Sequence, residues 1–126
     1  MLPLCTDERI GVIPWSPLAR GRLTRDPDES TPRSAMDAFG RNLYRQQEAE
    51  KEIIDAVAAI AAERGVPRAQ VALAWVSRHP AVAAPIVGVT KPHHLTDAIA
   101  SLDVHLGDDE AARLEAPYLP QPVAGF

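Results

Sequence analysis

The sequence predicts an α/β fold in which parallel strands alternate with helices. Three observations carry this expectation. Residues 10–14 are a short β-rich run that reads as apolar on both faces, the pattern of a parallel strand buried on both sides, and residues 82–87 read as a second strand. The segments between and after them repeat apolar residues with a helical period. The order is strand, loop, helices, strand, helix, helix, which implies parallel neighbours joined by right-handed crossovers.

Each element has its own signal. Met1-Leu2-Pro3-Leu4-Cys5 is apolar, carries no start signal, and reads as the tail of a helix. The first strand is entered through the polar residues 6–9. It ends in Ile13-Pro14-Trp15-Ser16-Pro17-Leu18-Ala19-Arg20-Gly21, an aromatic residue that breaks into a glycine-containing loop. Residues 24–45 carry Pro27, Pro32, Gly40 and mixed charge without a clear period, which predicts a long loop. A helix is predicted over 46–64, where Ile53, Ile54, Val57, Ala58, Ile60 and Ala61 form one stripe and Gly65 supplies the stop. Pro67 opens a second helix through Val71, Ala72, Trp75 and Val76, with Trp75 expected in the core. Arg78 and His79 suit its carboxyl end, and Pro80 stops it.

The second strand leads into Pro85-Ile86-Val87-Gly88-Val89-Thr90-Lys91-Pro92-His93-His94-Leu95. A helix over 92–102 is predicted from Leu95, Ala98, Ile99 and Leu102. A short last helix over 108–116 has an acidic first turn and ends at Pro117. Gly107 leaves its start without a side-chain cap. Residues 118–126 form a Pro-rich, irregular tail. The whole of 1–126 reads as one partial domain. Two strands close neither an open sheet nor a barrel, so the fold is expected to be incomplete.

The 126 residues carry a net charge of −4, which argues against nucleic acid or an anionic membrane as a general partner. No apolar run approaches the roughly 18 residues of a membrane span. Residues 1–6 lack the basic region and apolar stretch of a secretory signal. The single cysteine, Cys5, has no basic neighbour nearer than Arg9 and reads as a packing residue. One cysteine fits a reducing compartment, and the expected location is the cytoplasm.

The two turns suggest chemistry. Amides at a helix start have no internal partner, and the helix dipole adds partial positive charge there. Gly88 lets the backbone approach an anion closely, Thr90 adds a hydroxyl, and Lys91 adds a full charge. Trp15 offers a flat ring at the end of the other strand. Together the turns suit one planar, phosphate-bearing ligand. Plainer readings stand beside this one: Trp15 as a core aromatic, Ser16 as a turn former before Pro17, His94 and Lys91 as surface residues of an ordinary helix start. His93 and His94 point about 100° apart on a helix and make a poor metal pair. His79 and His105 have no companion ligands, so no metal is expected.

Both turns, with Gln70-Val71-Ala72-Leu73-Ala74-Trp75 and Leu106-Gly107-Asp108-Asp109-Glu110 between and after them, resemble the C-terminal part of the aldo/keto reductases. The resemblance covers essentially the whole chain, in order. It implies the C-terminal portion of a (β/α)8 TIM barrel, beginning inside the sixth helix and holding strands seven and eight, with NADPH as the cofactor. It further implies that Trp15 stacks on the nicotinamide ring. Ser16, Leu18, Ala19, Arg20 and Gly21 would hold the pyrophosphate. Gly88, Thr90, Lys91 and His94 would surround the adenosine 2′-phosphate, and Asp97 would face the adenine amine. Lys91 favours NADP over NAD. His94 stands where relatives often have arginine or glutamine, and Ala98 replaces a common asparagine.

In that family a tyrosine, lysine, aspartate and histidine serve hydride transfer between nicotinamide and a carbonyl carbon. None of the four maps onto this chain, since Tyr44 and Tyr118 lack the matching context. The expected function is therefore a fragment of an NADPH-dependent oxidoreductase acting on aldehydes or ketones. It would carry cofactor-binding residues, no catalytic residue, and no activity alone. A non-catalytic half-barrel that binds nucleotide or another chain is the alternative. Expected partners are NADPH and, in a complete protein, a small carbonyl substrate. Self-association or pairing with a missing N-terminal half would cover the open strand edges.

Overall fold

The molecule is built around one helix that is enclosed on most of its circumference. The structure is a computed structural model that describes residues 1–26, 28–29, 36 and 47–120. Its helices are α1 (Leu2–Asp7), α2 (Gln47–Arg64), α3 (Arg68–Arg78), α4 (Pro92–Ala100) and α5 (Asp108–Glu115). Short 3-10 turns span Ala19–Thr24 and Ser101–Asp103. Most of the long loop expected over 24–45, and the end of the tail, lie outside the described residues. No described helix is long and apolar enough to cross a membrane.

α3 is the enclosed helix. Four consecutive residues, Val71, Ala72, Leu73 and Ala74, are buried, so apolar contact surrounds it rather than following one stripe. α2, α4 and both 3-10 turns pack against it. The central cluster is Val57, Ile60 and Ala61 of α2, Val71 of α3 and Leu114 of α5, with Leu23, Val66 and Leu106 against it. Burying a side chain such as Ile60 completely contributes on the order of 1.5–3 kcal/mol. The α2 stripe lies where its spacing predicts. Its end is set by Gly65, whose φ of +66° admits the left-handed residue that terminates a helix. Val66 N–H then donates to Ala61 O and Gly65 N–H to Ala62 O, which satisfies two terminal carbonyls.

Four expectations are corrected. The predicted strands pair only through two parallel bridges, Val12 with Val82 and Trp15 with Ile86. Pro14 and Pro85 bring no N–H to a ladder, and the second segment spends one more residue between the bridges than the first. The segments are not buried on both sides either: Ile10, Ile13, Trp15 and Ile86 are each more than half exposed. Burial alternates along residues 11–16, so one side of the pair is covered and the other is open. Trp75 is also not core: it is 42% exposed, and its indole N–H donates to Glu115 Oε1 at 3.0 Å. The stripe Leu95, Ile99 and Leu102 faces outward, because α4 meets α3 through another face, where Gln70 Nε2 donates to Asp97 Oδ1 at 3.1 Å.

α1 extends through Thr6 and Asp7, beyond the apolar run that suggested it. The helix expected over 92–102 ends at Ala100 and tightens into the Ser101–Asp103 turn.

The start of α5 is stronger than Gly107 suggests. Glu110 reaches back to accept from the Gly107 N–H at 2.7 Å, supplying half of a capping box. The same carboxylate receives Arg64 Nε at 2.5 Å and Nη2 at 2.6 Å, and Arg64 also donates to His105 O. Arg113 grips Glu63 with both terminal nitrogens, at 2.6 and 2.8 Å. These forks tie α2 to α5. The Arg64 guanidinium first, then the Gly107 N–H, holds the Glu110 carboxyl well below its ordinary 4.5, at about 2. A depressed carboxyl stabilises the fold above its ordinary value and loses that contribution as pH falls through the folded-state value. Melting temperature should therefore drop between pH 4.5 and about 2, and Glu110→Gln should flatten that drop while lowering the melting temperature at pH 7. Parallel acid profiles for the two proteins would contradict this role.

Candidate functional site

Parallel pairing sets the site. Val12 N–H donates to Ala81 O at 2.7 Å, Ala83 N–H to Val12 O at 2.9 Å, and Ile86 N–H to Pro14 O at 2.9 Å. Both segments run the same way, so their carboxyl ends, and the turns that follow, leave the same end of the pair. Trp15 is opposite Ile86, and Gly88 to Lys91 begins two residues later. In parallel α/β folds this end is where ligands bind.

The first turn is strongly curled. Ser16, Ala19 and Arg20 have φ of +52°, +48° and +56°, and Gly21 has +86°. Non-glycine residues in this region cost roughly 1–2 kcal/mol each, and local hydrogen bonds offset the cost. Ser16 Oγ accepts from Arg20 N–H at 3.2 Å, Ser16 O from Ala19 N–H at 2.9 Å, and Leu18 O from Gly21 N–H at 2.8 Å. The amides of Ala19, Arg20 and Gly21 are thus already occupied within the turn. Among the described residues the Leu18 N–H has no acceptor. Trp15 stands at the mouth of the turn, 60% exposed, with ring surface available for stacking.

The second turn is the converse. Among the described residues, the N–H groups of Gly88, Val89 and Lys91 have no acceptor. Lys91 is the N-cap of α4, extended (φ −138°, ψ 150°) and exposed, with no carboxylate within ion-pair distance among the described residues. A Cβ added to Gly88 would meet nothing within 4 Å. Half-buried His94 reaches back one turn, its Nδ1 3.4 Å from both Thr90 N and Thr90 Oγ1. Asp97, also half-buried, is engaged by Gln70, which leaves its second oxygen for another donor. The positive end of α4, three unpaired amides and a lysine form a place for an anion. These residues fit a phosphate-bearing cofactor.

A model of the aldo/keto reductase family matches residues 1–118. The chain belongs to the aldo/keto reductase family. The family's fold is a (β/α)8 barrel, and parallel segments followed by helices accord with it. The chain is 42% identical, over 98% of its length, to versiconal hemiacetal acetate reductase of Aspergillus parasiticus, covering 36% of that protein. It is 40% identical to aldo-keto reductase dtxS3 of Metarhizium robertsii, with 96% of the chain and 33% of the relative covered. It is 37% identical to aldo-keto reductase AMT2 of Alternaria alternata, with 99% and 34% covered. The chain thus spans about a third of the length of these reductases.

Tyr44 lies outside the described residues, and Tyr118 is exposed beyond α5. Among the described residues no three His, Cys, Asp or Glu side chains converge as a metal site would need. Sequence reasoning missed Gln70, whose hold on Asp97 joins α3 to α4 across 27 residues. It also missed the reach of His94 to Thr90, for which the four-residue spacing at a helix start was a usable signal.

The two glycines should respond differently to the same substitution. At Gly21 the φ of +86° strains any Cβ, and one placed there meets Arg25 Nη1 at 3.0 Å. Gly21→Ala should cost about 1–2 kcal/mol in urea unfolding, and Gly88→Ala close to none. Equal losses at the two positions would contradict the turn geometry.

Proposed function

We propose that this chain is the C-terminal third of an NADPH-dependent aldo/keto reductase, supplying the cofactor edge of the barrel and none of its acid–base machinery. The observation that carries this reading is the Trp15–Ile86 bridge, which sets an exposed indole and a lysine-bearing, amide-rich turn at one end of adjacent parallel segments. NADPH, when bound, supplies the hydride for reduction of an aldehyde or ketone carbonyl.

This chain's residues bind and orient. Trp15 packs on the nicotinamide ring and fixes its face. The Ser16 hydroxyl, while accepting from Arg20 N–H, keeps its own hydrogen to donate to the pyrophosphate, and the Leu18 N–H adds a second donor. Arg20 adds positive charge, while Ala19 and Gly21 shape the turn, since their amides are spent within it. Gly88, Val89 and Lys91 receive the 2′-phosphate, which favours NADP over NAD. Asp97, steadied by Gln70, accepts from the adenine amine. Small carbonyl compounds are the substrate class of the whole protein, with residues outside this chain donating the proton. Within that reading the segments pair as barrel strands seven and eight.

A second reading has a specific observation in its favour. The outward apolar residues Ile13, Ile86, Leu95, Ile99 and Leu102 suit a non-catalytic half-barrel that associates with another chain. Nucleotide binding separates the two readings. Adding NADPH should change tryptophan fluorescence, and Trp15→Leu should abolish the response, leaving only Trp75, which Glu115 holds elsewhere. In the same titration Lys91→Ala should weaken NADPH about tenfold and NADH much less. A chain whose fluorescence ignores millimolar NADPH would favour the second reading.

The 126-residue polypeptide alone should oxidise no NADPH in a single-turnover assay with aldehydes or ketones. Turnover by this chain would overturn the division of labour.

A further inference from the structure

The local hydrogen bonds of the first turn fix its shape and leave its placement to other groups. Ser16 to Gly21 bond among themselves, and Thr24 Oγ1 donates back to Gly21 O at 2.9 Å. Two ion pairs then leave the exit of the turn, with opposite polarity and toward different helices. Arg22 Nη2 donates to Glu50 Oε2 of α2 at 2.5 Å, with both side chains part-buried. Arg68 Nη2, on the first residue of α3, donates to Asp26 Oδ1 at 2.7 Å. Between the two pairs Leu23 packs on the core cluster.

Arg68 is placed against the interests of its own helix. It opens α3, where the dipole disfavours a cation, and no acidic residue stands in that first turn. Its Nη1 is buried and has no hydrogen-bond partner among the described residues. A buried donor left unsatisfied costs free energy. The pair it makes returns little, because Asp26 is 72% exposed and solvent screens such pairs. Stability alone therefore does not account for Arg68. What the residue accomplishes is to tie the exit of the first turn to the start of the enclosed helix.

We propose that Arg22–Glu50 and Asp26–Arg68 form a clasp that presets the placement of the Ser16–Gly21 turn, and that Arg68 is a positioning residue for dinucleotide binding. It acts through Asp26 and does not touch the ligand. The inference rests on the reading that this turn holds the cofactor's pyrophosphate. With the clasp closed, Trp15 and Ser16 stand in place before the ligand arrives. Without it the competent placement is one of several, and apparent affinity falls with the fraction of chains that hold it. That loss lies in the association rate, because the bound state keeps the same contacts and dissociates as before. A residue that touched the pyrophosphate would show the reverse, a faster dissociation.

Stability and binding should part company in Arg68→Met, which removes the charge and the orphaned nitrogen but keeps an unbranched side chain. Its urea midpoint should equal or exceed that of wild type. Stopped-flow tryptophan fluorescence should show NADPH associating about three- to fivefold more slowly, with an unchanged dissociation rate. Asp26→Asn should reproduce the slowing, and Arg68→Lys, which keeps a cation within reach of the carboxylate, should recover most of the rate. In ligand-free NMR spectra of the full chain, the Ala19, Arg20 and Gly21 amides should be broadened by exchange in Arg68→Met and Asp26→Asn, and sharp in wild type. Sharp amides in both variants, a wild-type association rate, a faster dissociation, or a midpoint that falls together with affinity would each overturn the clasp and leave the cofactor reading standing. A wild-type chain that ignores NADPH would overturn the cofactor reading and this role of Arg68 together.

Discussion

Everything proposed for this protein depends on three main-chain hydrogen bonds, Val12 to Ala81, Ala83 to Val12 and Ile86 to Pro14. They hold two segments parallel that are some seventy residues apart in sequence. Each such bond contributes on the order of 0.5–1.5 kcal/mol net, and a two-stranded ribbon is not stable by itself in water. The pairing is held from outside. Buried Ala81 continues directly from the end of α3, and α3 is locked in the core by Val71 and Leu73. The helices thus supply the free energy, and the short parallel contact converts it into a juxtaposition of two turns.

The turns then divide the chemistry. The first spends the Ala19, Arg20 and Gly21 amides on itself and leaves the Leu18 N–H, because a backbone with four left-handed residues between Ser16 and Gly21 persists only when local bonds fix it. It offers shape, a hydroxyl and an open aromatic face. The second leaves amides unpaired at the start of a helix, beside a lysine, and offers charge. A dinucleotide with a flat ring at one end and a phosphate at the other needs both kinds of surface. Membership of the aldo/keto reductase family gives that pairing its chemical context.

Much of this was legible in the sequence, and the reasons are physical. α2 and α3 were readable because apolar period, Gly65, Pro67 and Pro80 all agree on the same boundaries. The parallel arrangement followed from the alternation of elements. Burial did not follow. Apolar residues on both faces of residues 10–14 do not reveal whether anything covers both faces, and Ile10 and Ile13 are exposed. Trp75 shows the same limit from the other side: its spacing fits an inward stripe, yet a carboxylate 40 residues away draws its indole to the surface. Gln70 and Asp97 meet only because α3 and α4 pack, which no local pattern states. The candidate residues themselves were legible, whereas the prior engagement of the Ala19, Arg20 and Gly21 amides required coordinates.

The parallel contact is the claim to measure first. Nuclear Overhauser spectra of the labelled chain should show cross-peaks from the Ala83 amide to Val12 and from the Ile86 amide to Pro14 and Trp15. An assigned spectrum in which residues 10–15 contact other parts of the chain, and never residues 81–86, would contradict the account at its foundation.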